Sequence, residues 1–210
     1  MQEERIAFGS SDPAQYKRYN RGFNETNLDV IFNFRKAITK NINFSGLAGG
    51  SMRRSTENAI RAQTNGGMVV PGLYSLSNSA NPIEAPTETY RRIGVDGLYA
   101  QASFGYKDLV NLDLTGRQDK STTLSKGNNT YFYPAIGANF NISNLEGLKR
   151  LGWLTMAKLS ANYAEVGNDA PWGSTADVYD KPTGLGSIPY FTLRNTKNNP
   201  DLKPERTKNY

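Results

Sequence analysis

The fold is decided by one stretch, GLYAQASFGYKDLVNLDLTGR, residues 97–117. Apolar side chains recur at every second position on both sides of a short polar break at Lys107 and Asp108. A period of two is typical of a β-strand with one apolar face, and so short a break predicts a hairpin. The predicted apolar face of this hairpin carries Leu98, Ala100, Ala102, Phe104, Tyr106, Val110, Leu112 and Leu114.

The same alternation extends from this hairpin in both directions along the chain. It recurs in residues 26–39, 42–51, 131–143 and 153–167. The polar lead-in to Arg206 predicts the start of one more strand. The sequence therefore predicts an all-β protein with an antiparallel up-and-down sheet of about six to seven strands. Residues 1–25 are expected to be unpaired and to lie on the side of the long loops.

The connections between these predicted strands are of two kinds. The short ones are Lys40–Asn41, Lys107–Asp108 and residues 143–152, where a short helical turn is predicted. The long ones are residues 52–91, 117–129 and 167–203. Outer-membrane barrels place short turns at one end and long loops at the other, and a tilted strand of about 9–11 residues crosses the bilayer. The pattern therefore predicts part of a large transmembrane β-barrel.

Alternation alone does not say which face meets lipid. A transmembrane barrel turns its apolar face outward. The alternative is a small soluble β-barrel or sandwich that binds a hydrophobic ligand and turns inward the side chains of Leu28, Val30, Phe32 and Phe34. Aromatic residues at the strand ends favour the membrane, because interfacial girdles need them there. These are Tyr131, Phe132, Tyr133 and Tyr163 toward the long loops and Trp153 toward the short turns.

The composition excludes several kinds of function. The chain has no Cys and no His, which removes thiol nucleophiles, thiolate zinc sites and imidazole bases. Its net charge of +6 comes from basic residues scattered beside acidic ones, which does not favour nucleic-acid binding. Asp113 has no second carboxylate beside it on its face, and Asp177 and Asp180 share one loop. We therefore predict no enzyme and no catalytic, cofactor-binding or metal-binding residue.

Two further features concern the membrane and export. The mean hydropathy is −0.61, and the uncharged stretches fall short of the roughly 18 apolar residues that a spanning helix needs. The start, MQEERIAFGS, lacks the basic segment and apolar run of a signal peptide. The expectation is a protein that stays inside the cell or an internal piece of a longer exported one.

Three segments resemble a known family. They are NPDLKPERTKNY at residues 199–210, ANYAEVGND at 161–169, and YKDLVNLDLTGRQDKST with YFYPAIGANFNIS, which begin at Tyr106 and Tyr131. In order and spacing they resemble strand-associated motifs of SusC/RagA-type TonB-dependent outer-membrane transporters of the Bacteroidetes, from about residue 98 to residue 210. The sequence departs from those motifs in the run 118–121, at Ala135, where Ser is common, and at Phe140, where Trp is common.

The resemblance implies a barrel of about 22 strands, filled by a plug domain. It implies import of large nutrients such as oligosaccharides or peptides across the outer membrane. The implied partners are outer-membrane lipid, the TonB complex, a SusD-like surface lipoprotein and a glycan or peptide substrate, with no nucleic acid and no cofactor. Residues 1–210 are expected to be an internal part of the C-terminal half of the barrel, without plug or signal peptide.

Substrate contacts are expected on the long loops. Residues 171–195 offer Trp172, Tyr179, Tyr190 and Phe191, and the earlier loop offers Tyr74. Aromatic faces stack on sugar rings, and Tyr also donates hydrogen bonds. The open alternative for each of them is that the loop packs its own aromatic side chains against neighbouring parts of the protein.

Overall fold

The computed structural model describes residues 2–5, 14–148, 153–181, 188 and 190–210. Nearly all regular structure in these residues is β-strand. The strands are β1 Gln2–Arg5, β2 Tyr16–Thr39, β3 Ile42–Gln63, β4 Asn65–Met68, β5 Ser79–Asn81, β6 Thr87–Tyr106, β7 Val110–Ser121, β8 Thr130–Asn141, β9 Lys158–Asn168, β10 Tyr179–Asp180, β11 Thr192–Leu193 and β12 Glu205–Asn209. Two 3₁₀ helices, Leu76–Asn78 and Ile142–Asn144, complete the set. In the described part of the chain, neither helix has the length and apolar content to cross a membrane.

One eight-stranded sheet contains the main strands in the order β1-β2-β3-β6-β7-β8-β9-β12. Each strand pairs with its neighbour in the chain, apart from two small two-stranded sheets, β4-β5 and β10-β11, that lie within the long connections. The pairs β6-β7, β7-β8, β8-β9 and β9-β12 are antiparallel. The predicted all-β, up-and-down architecture with alternating short and long connections is confirmed.

The predicted ends of several strands were wrong. Residues 1–25 were expected to be unpaired, but β2 begins at Tyr16 and β1 pairs with its start, Gln2 opposite Tyr19. β2 and β3 are 24 and 22 residues long. Their outer parts are polar, so they show no apolar alternation, yet backbone pairing does not require it. The helical turn predicted in residues 143–152 is a 3₁₀ helix at Ile142–Asn144, and residues 149–152 lie outside the described residues.

Contacts divide the chain into two compact units. The first consists of residues 1–26 and 54–92, and the second of residues 27–53 and 93–210. The second unit contains the β6-β7 hairpin. Lys107 and Asp108 have φ of 50° and 57°, and the Leu109 amide donates to the Tyr106 carbonyl at 2.8 Å. Two positive φ angles in succession define the type I′ turn that suits a two-residue hairpin loop.

Strand register places the predicted apolar residues of the second unit on one face. Phe104 lies opposite Leu112, and Leu114 lies opposite Ile136. The rings of Phe34, Phe44 and Phe104 also meet on this face, with centroid separations of 5.3 Å and 4.8 Å. We call it the apolar face. Its members include Phe34, Phe44, Leu98, Ala102, Phe104, Tyr106, Val110, Leu112, Leu114, Phe132, Ile136, Ala138, Phe140, Leu159 and Ala161.

No second layer formed by the described residues covers the apolar face. Its Leu28, Val30, Phe32 and Phe34 are 50–69% exposed. Among the described residues, the buried hydrophobic side chains are only Ala14, Tyr16, Leu124 and Tyr131. A soluble domain of this size buries its large aliphatic residues in a core. The arrangement therefore gives no support to the soluble alternative, which required these four side chains to point inward.

The opposite, polar face is held together by hydrogen bonds across strands. The Arg117 guanidinium on β7 bonds the Asp119 carboxylate at 2.9 Å and the Tyr133 hydroxyl at 2.9 Å. It also reaches Ser51 Oγ on β3 at 3.2 Å and lies over the Tyr99 ring on β6. The Tyr133 hydroxyl donates to Asp119 as well. One arginine therefore ties four strands together.

The alternation shifts by one residue near the loop end of β9. Regular pairing of β8 with β9 ends at Ala135 and Ala164. Strict alternation from Tyr163 would turn Gly167 toward the apolar face, but a Cβ on Gly167 would lie 2.7 Å from the Tyr131 ring on the polar face. Such a change of side is what a β-bulge produces. On β8, by contrast, the alternation is regular, and it separates residues that were predicted to lie in one girdle: Phe132 is on the apolar face, while Tyr131 and Tyr133 are on the polar face.

Replacing Gly167 with Ala tests this local packing. Tyr131 is 7% exposed, so its ring has little room to move from a new Cβ. We expect Gly167→Ala to lower the free energy of unfolding of the full-length protein by about 1–3 kcal/mol. Gly127→Ala is the matched control, because nothing lies within 4 Å of a Cβ at that position. Equal urea midpoints for the two variants would contradict the described packing.

Replacing Arg117 with Ala tests the hydrogen-bonded network on the polar face. The Asp119 side chain is only 9% exposed and would lose its charged partner. We expect a loss of roughly 1–3 kcal/mol in urea unfolding, since a buried charged acceptor without its donor is costly. Adding Asp119→Asn should recover part of the loss, and Lys120→Ala on the same strand should cost little. If Asp119→Asn gives no recovery in the Arg117→Ala background, the pair does not act as described.

Candidate functional site

The polar face of the second unit forms a cleft of about 370 Å³ near the loop ends of its strands. Its lining includes Asp29, Arg53, Arg117, Asp119, Tyr131 and Asp169. The rings of Tyr131 and Tyr133 stack there, 6.0 Å apart at 26°. The hydroxyl of Ser121, which is fully buried, donates to the Asp169 carboxylate at 2.6 Å. Carboxylates, guanidinium groups and an aromatic ring in one cleft can hold a polar ligand by hydrogen bonds.

The loop between β9 and β12 is organised by Asn198. Its backbone amide donates to Asp177 Oδ1 at 2.7 Å, and its side-chain amide donates to the Ala176 carbonyl at 2.6 Å and the Gly173 carbonyl at 3.3 Å. These bonds fasten the end of the loop to its beginning. The loop is therefore anchored at both ends of the segment that carries the predicted aromatic contacts.

Within this loop, β10 and β11 form a small hairpin. Tyr179 lies opposite Leu193 and Asp180 opposite Thr192, and the Arg194 guanidinium pairs with Asp180 at 2.9 Å. The predicted contact residues Tyr179 and Phe191 belong to this hairpin or its edge and are 68% and 64% exposed. We call residues 179–180 and 190–194 the aromatic hairpin. It presents aromatic faces to the surroundings.

The other predicted contacts are placed differently. Tyr190 lies beside Phe191, whereas Trp172 lies at the start of the loop, and both are partly exposed. Tyr74 belongs to the first unit, and its ring lies 6.3 Å from the buried ring of Tyr16. Tyr74 therefore packs against a neighbouring strand, β2.

Sequence reasoning missed a turn in the first unit that exposes apolar side chains. The buried Asn78 side chain donates to the carbonyls of Val70 and Leu73, both at 2.8 Å, and accepts from the Val70 amide. These bonds fix a turn on which Val69, Val70 and Leu73 are at least half exposed. The run MVVPG was the available signal, since apolar residues beside Pro-Gly indicate an exposed turn.

An ion pair of the first unit lies on β2 and β3, outside the amphipathic stretches of those strands. The Arg21 guanidinium bonds both oxygens of the Glu57 carboxylate, at 3.0 Å and 3.1 Å. This hydrogen bonding holds the pKa of Glu57 below its usual range. The pair fixes one charge of each sign between the two strands.

The described residues expose groups that can stack and form hydrogen bonds. In the described part of the chain, no group of three Asp or Glu side chains is placed to hold a metal ion. The exposed features are aromatic rings, amide groups and paired charges. Such groups recognise a ligand by stacking and hydrogen bonding.

Comparison with known proteins identifies the family. The model of the family described as TonB dependent receptor-like, beta-barrel matches residues 3–210. TonB-dependent receptor P26 of Formosa agariphila is 26% identical over 207 residues, which are 96% of this chain and 21% of that protein. TonB-dependent receptor P39 of the same organism is 27% identical over 144 residues, 66% of this chain and 13% of that protein. The chain thus spans about a fifth of the length of P26.

Solved structures show the same fold. The RagAB peptide transporter superposes with a TM-score of 0.77 at 17% identity, over 92% of this chain and 22% of that chain. The RagAB peptide importer in its closed-closed state gives a TM-score of 0.76 at the same identity and coverage. The expected resemblance to SusC/RagA-type proteins is confirmed, and this chain belongs to the TonB-dependent receptor-like β-barrel family.

Proposed function

We propose that this chain forms part of the outer-membrane barrel of a TonB-dependent transporter that imports large nutrients, oligosaccharides or peptides. The observation that carries the proposal is the amphipathic sheet, whose apolar face is exposed among the described residues while its polar face carries a hydrogen-bonded network. In lipid this arrangement is stable, because every backbone group is paired in a closed barrel and the apolar side chains meet acyl chains.

In this proposal, a complete transporter also needs further barrel strands and a plug domain. Because the chain spans 21% of its relative P26, we place the remaining strands and the plug domain in other parts of a longer protein. The proposed partners are the TonB complex and a SusD-like lipoprotein. The two-component name of the RagAB peptide transporter, a structural neighbour, supports the second of these.

We assign substrate contact to the rings of Tyr179 and Phe191 in the aromatic hairpin and to Trp172. Tyr179 and Phe191 are well exposed, and Asn198 anchors the loop that carries them. A prepositioned aromatic ring binds a sugar ring or an apolar peptide side chain with little loss of conformational entropy. Tyr190 extends the same surface. For Tyr74 we propose a supporting role, because its ring packs on Tyr16.

Uptake by cells that express the full-length protein tests the proposal. We expect Tyr179→Ala combined with Phe191→Ala to raise the half-saturating concentration of a transported oligosaccharide or peptide about tenfold, since each lost ring contact is worth about 0.5–1.5 kcal/mol. The maximal rate should change little, because the altered groups contribute to binding.

Leu193→Ala is the matched control for this experiment. Leu193 is 73% exposed in the same hairpin but carries no ring, and its replacement should leave uptake unchanged. Energy-independent entry, or no entry of any oligosaccharide or peptide above that of cells lacking the protein, would contradict the transport function. An equal effect of Leu193→Ala would contradict the assignment to the aromatic residues.

A further inference from the structure

The short connections of the second unit are joined by hydrogen bonds into a continuous rim. The Lys107 amide donates to the Asn41 carbonyl at 2.8 Å, linking the β2-β3 turn to the β6-β7 turn. The side chains of Asn141 and Asn144 both donate to the Asp108 carbonyl at 2.9 Å, linking the β6-β7 turn to the β8-β9 connection. Three separate turns are therefore held in fixed positions relative to one another.

Lysine side chains occupy this rim. Lys40 and Lys107 lie in its turns, and Lys36 follows Phe34 by two residues on β2, on the apolar face. All three are exposed. None of them forms an ion pair with a carboxylate in the described part of the chain. No carboxylate among the described residues therefore neutralises their charges. We call Lys36, Lys40 and Lys107 the lysine rim.

The surroundings of the lysine rim are those of a membrane interface. Lys107 Nζ lies 5.6 Å from the centre of the Tyr106 ring, which is on the apolar face. Exposed apolar side chains also mark this end of the sheet: Ile38, Tyr106, Trp153 and Met156. Tyr and Trp prefer the level of lipid head groups, where Lys side chains also extend their amines toward the polar layer.

The charge balance at this end is positive. The described residues of the short connections and adjoining strand ends (36–42, 106–110, 141–148 and 153–158) contain four lysines, the lysine rim and Lys158, and two carboxylates, Asp108 and Glu146. Lys158 lies opposite Asn141 on the polar face and so is not part of the lysine rim. A fixed positive rim beside an apolar surface is complementary to a phospholipid with an anionic head group.

We propose that the lysine rim binds the head groups of anionic phospholipids in the leaflet at the short-turn end of the barrel. The acyl chains of the bound lipid lie along the apolar face, where the rings of Phe34, Phe44 and Phe104 form a contiguous surface. This inference rests on the proposed function, because it requires the apolar face to be in a membrane. It adds a lipid site that is separate from the substrate surface of the loops.

The test uses the full-length protein in nanodiscs made from equal amounts of phosphatidylcholine and phosphatidylglycerol. Native mass spectrometry counts the lipids that stay bound when the disc is removed. We expect phosphatidylglycerol to be enriched at low salt. The variant Lys36→Gln/Lys40→Gln/Lys107→Gln should reduce the enrichment about tenfold, since each basic residue near an anionic surface contributes roughly a fivefold preference at most.

Two further variants separate a site from a general charge effect. Lys120→Gln/Lys126→Gln/Lys203→Gln removes the same number of exposed lysines from the long-loop end of the second unit and should leave the enrichment unchanged. Lys36→Arg/Lys40→Arg/Lys107→Arg keeps the charge and should retain it. Equal loss in both glutamine variants, or no loss in the rim variant, would overturn the proposal.

The same experiment distinguishes failure of this inference from failure of the proposed function. A protein that does not enter nanodiscs at all contradicts both. A protein that enters them and transports substrate, but shows no phosphatidylglycerol enrichment, contradicts the lipid site alone. If the rim variant loses energised uptake while its lipid enrichment is unchanged, the rim serves a periplasmic protein partner, and the lipid proposal is wrong.

Discussion

The structure depends on a single constraint, the two-residue alternation of side chains along strands whose backbone groups are paired. In a sheet, the neighbours of a residue across each strand lie on its own face. Once the type I′ turn at Lys107 and Asp108 fixes the register of β6 with β7, the pairing of β7 with β8, and of β8 with β9 as far as Ala164, keeps the same division into an apolar and a polar face. The two faces of these strands thus follow from one hairpin.

The two faces are stabilised by different forces. On the apolar face, aromatic rings contact one another but gain no core, so the main stabilisation must come from the surrounding lipid. On the polar face, Arg117 and Asp119 replace a hydrophobic core with a network in which each charge has partners. This combination explains how a sheet with few buried apolar residues keeps a defined register. It also leaves the loops free to carry recognition.

Sequence alone was sufficient for the parts of the fold that carry alternation. The β6-β7 hairpin, the apolar face and the division of connections could be predicted, because in those segments apolar and polar residues alternate with the period of a strand. Prediction failed for the outer part of β2, where Tyr16 to Glu25 is polar, and for Gly167, where a local shift changes the side. Of the candidate contacts, Tyr179 and Phe191 are exposed. Exposure of a loop aromatic has no local sequence signal, and so Tyr74, packed on Tyr16, could not be told apart from them.

The accessibility of spin labels along β7 shows which face of the sheet meets lipid. This chain contains no Cys, so single cysteines can be placed in it at successive positions from Val110 to Arg117 in the full-length protein and spin-labelled in lipid bilayers. We expect a period of two, with oxygen dissolved in lipid reaching labels at Val110, Leu112 and Leu114, and a water-soluble relaxation agent reaching those at Asn111, Asp113 and Thr115. The reverse phase, or no alternation between the two agents, would contradict it.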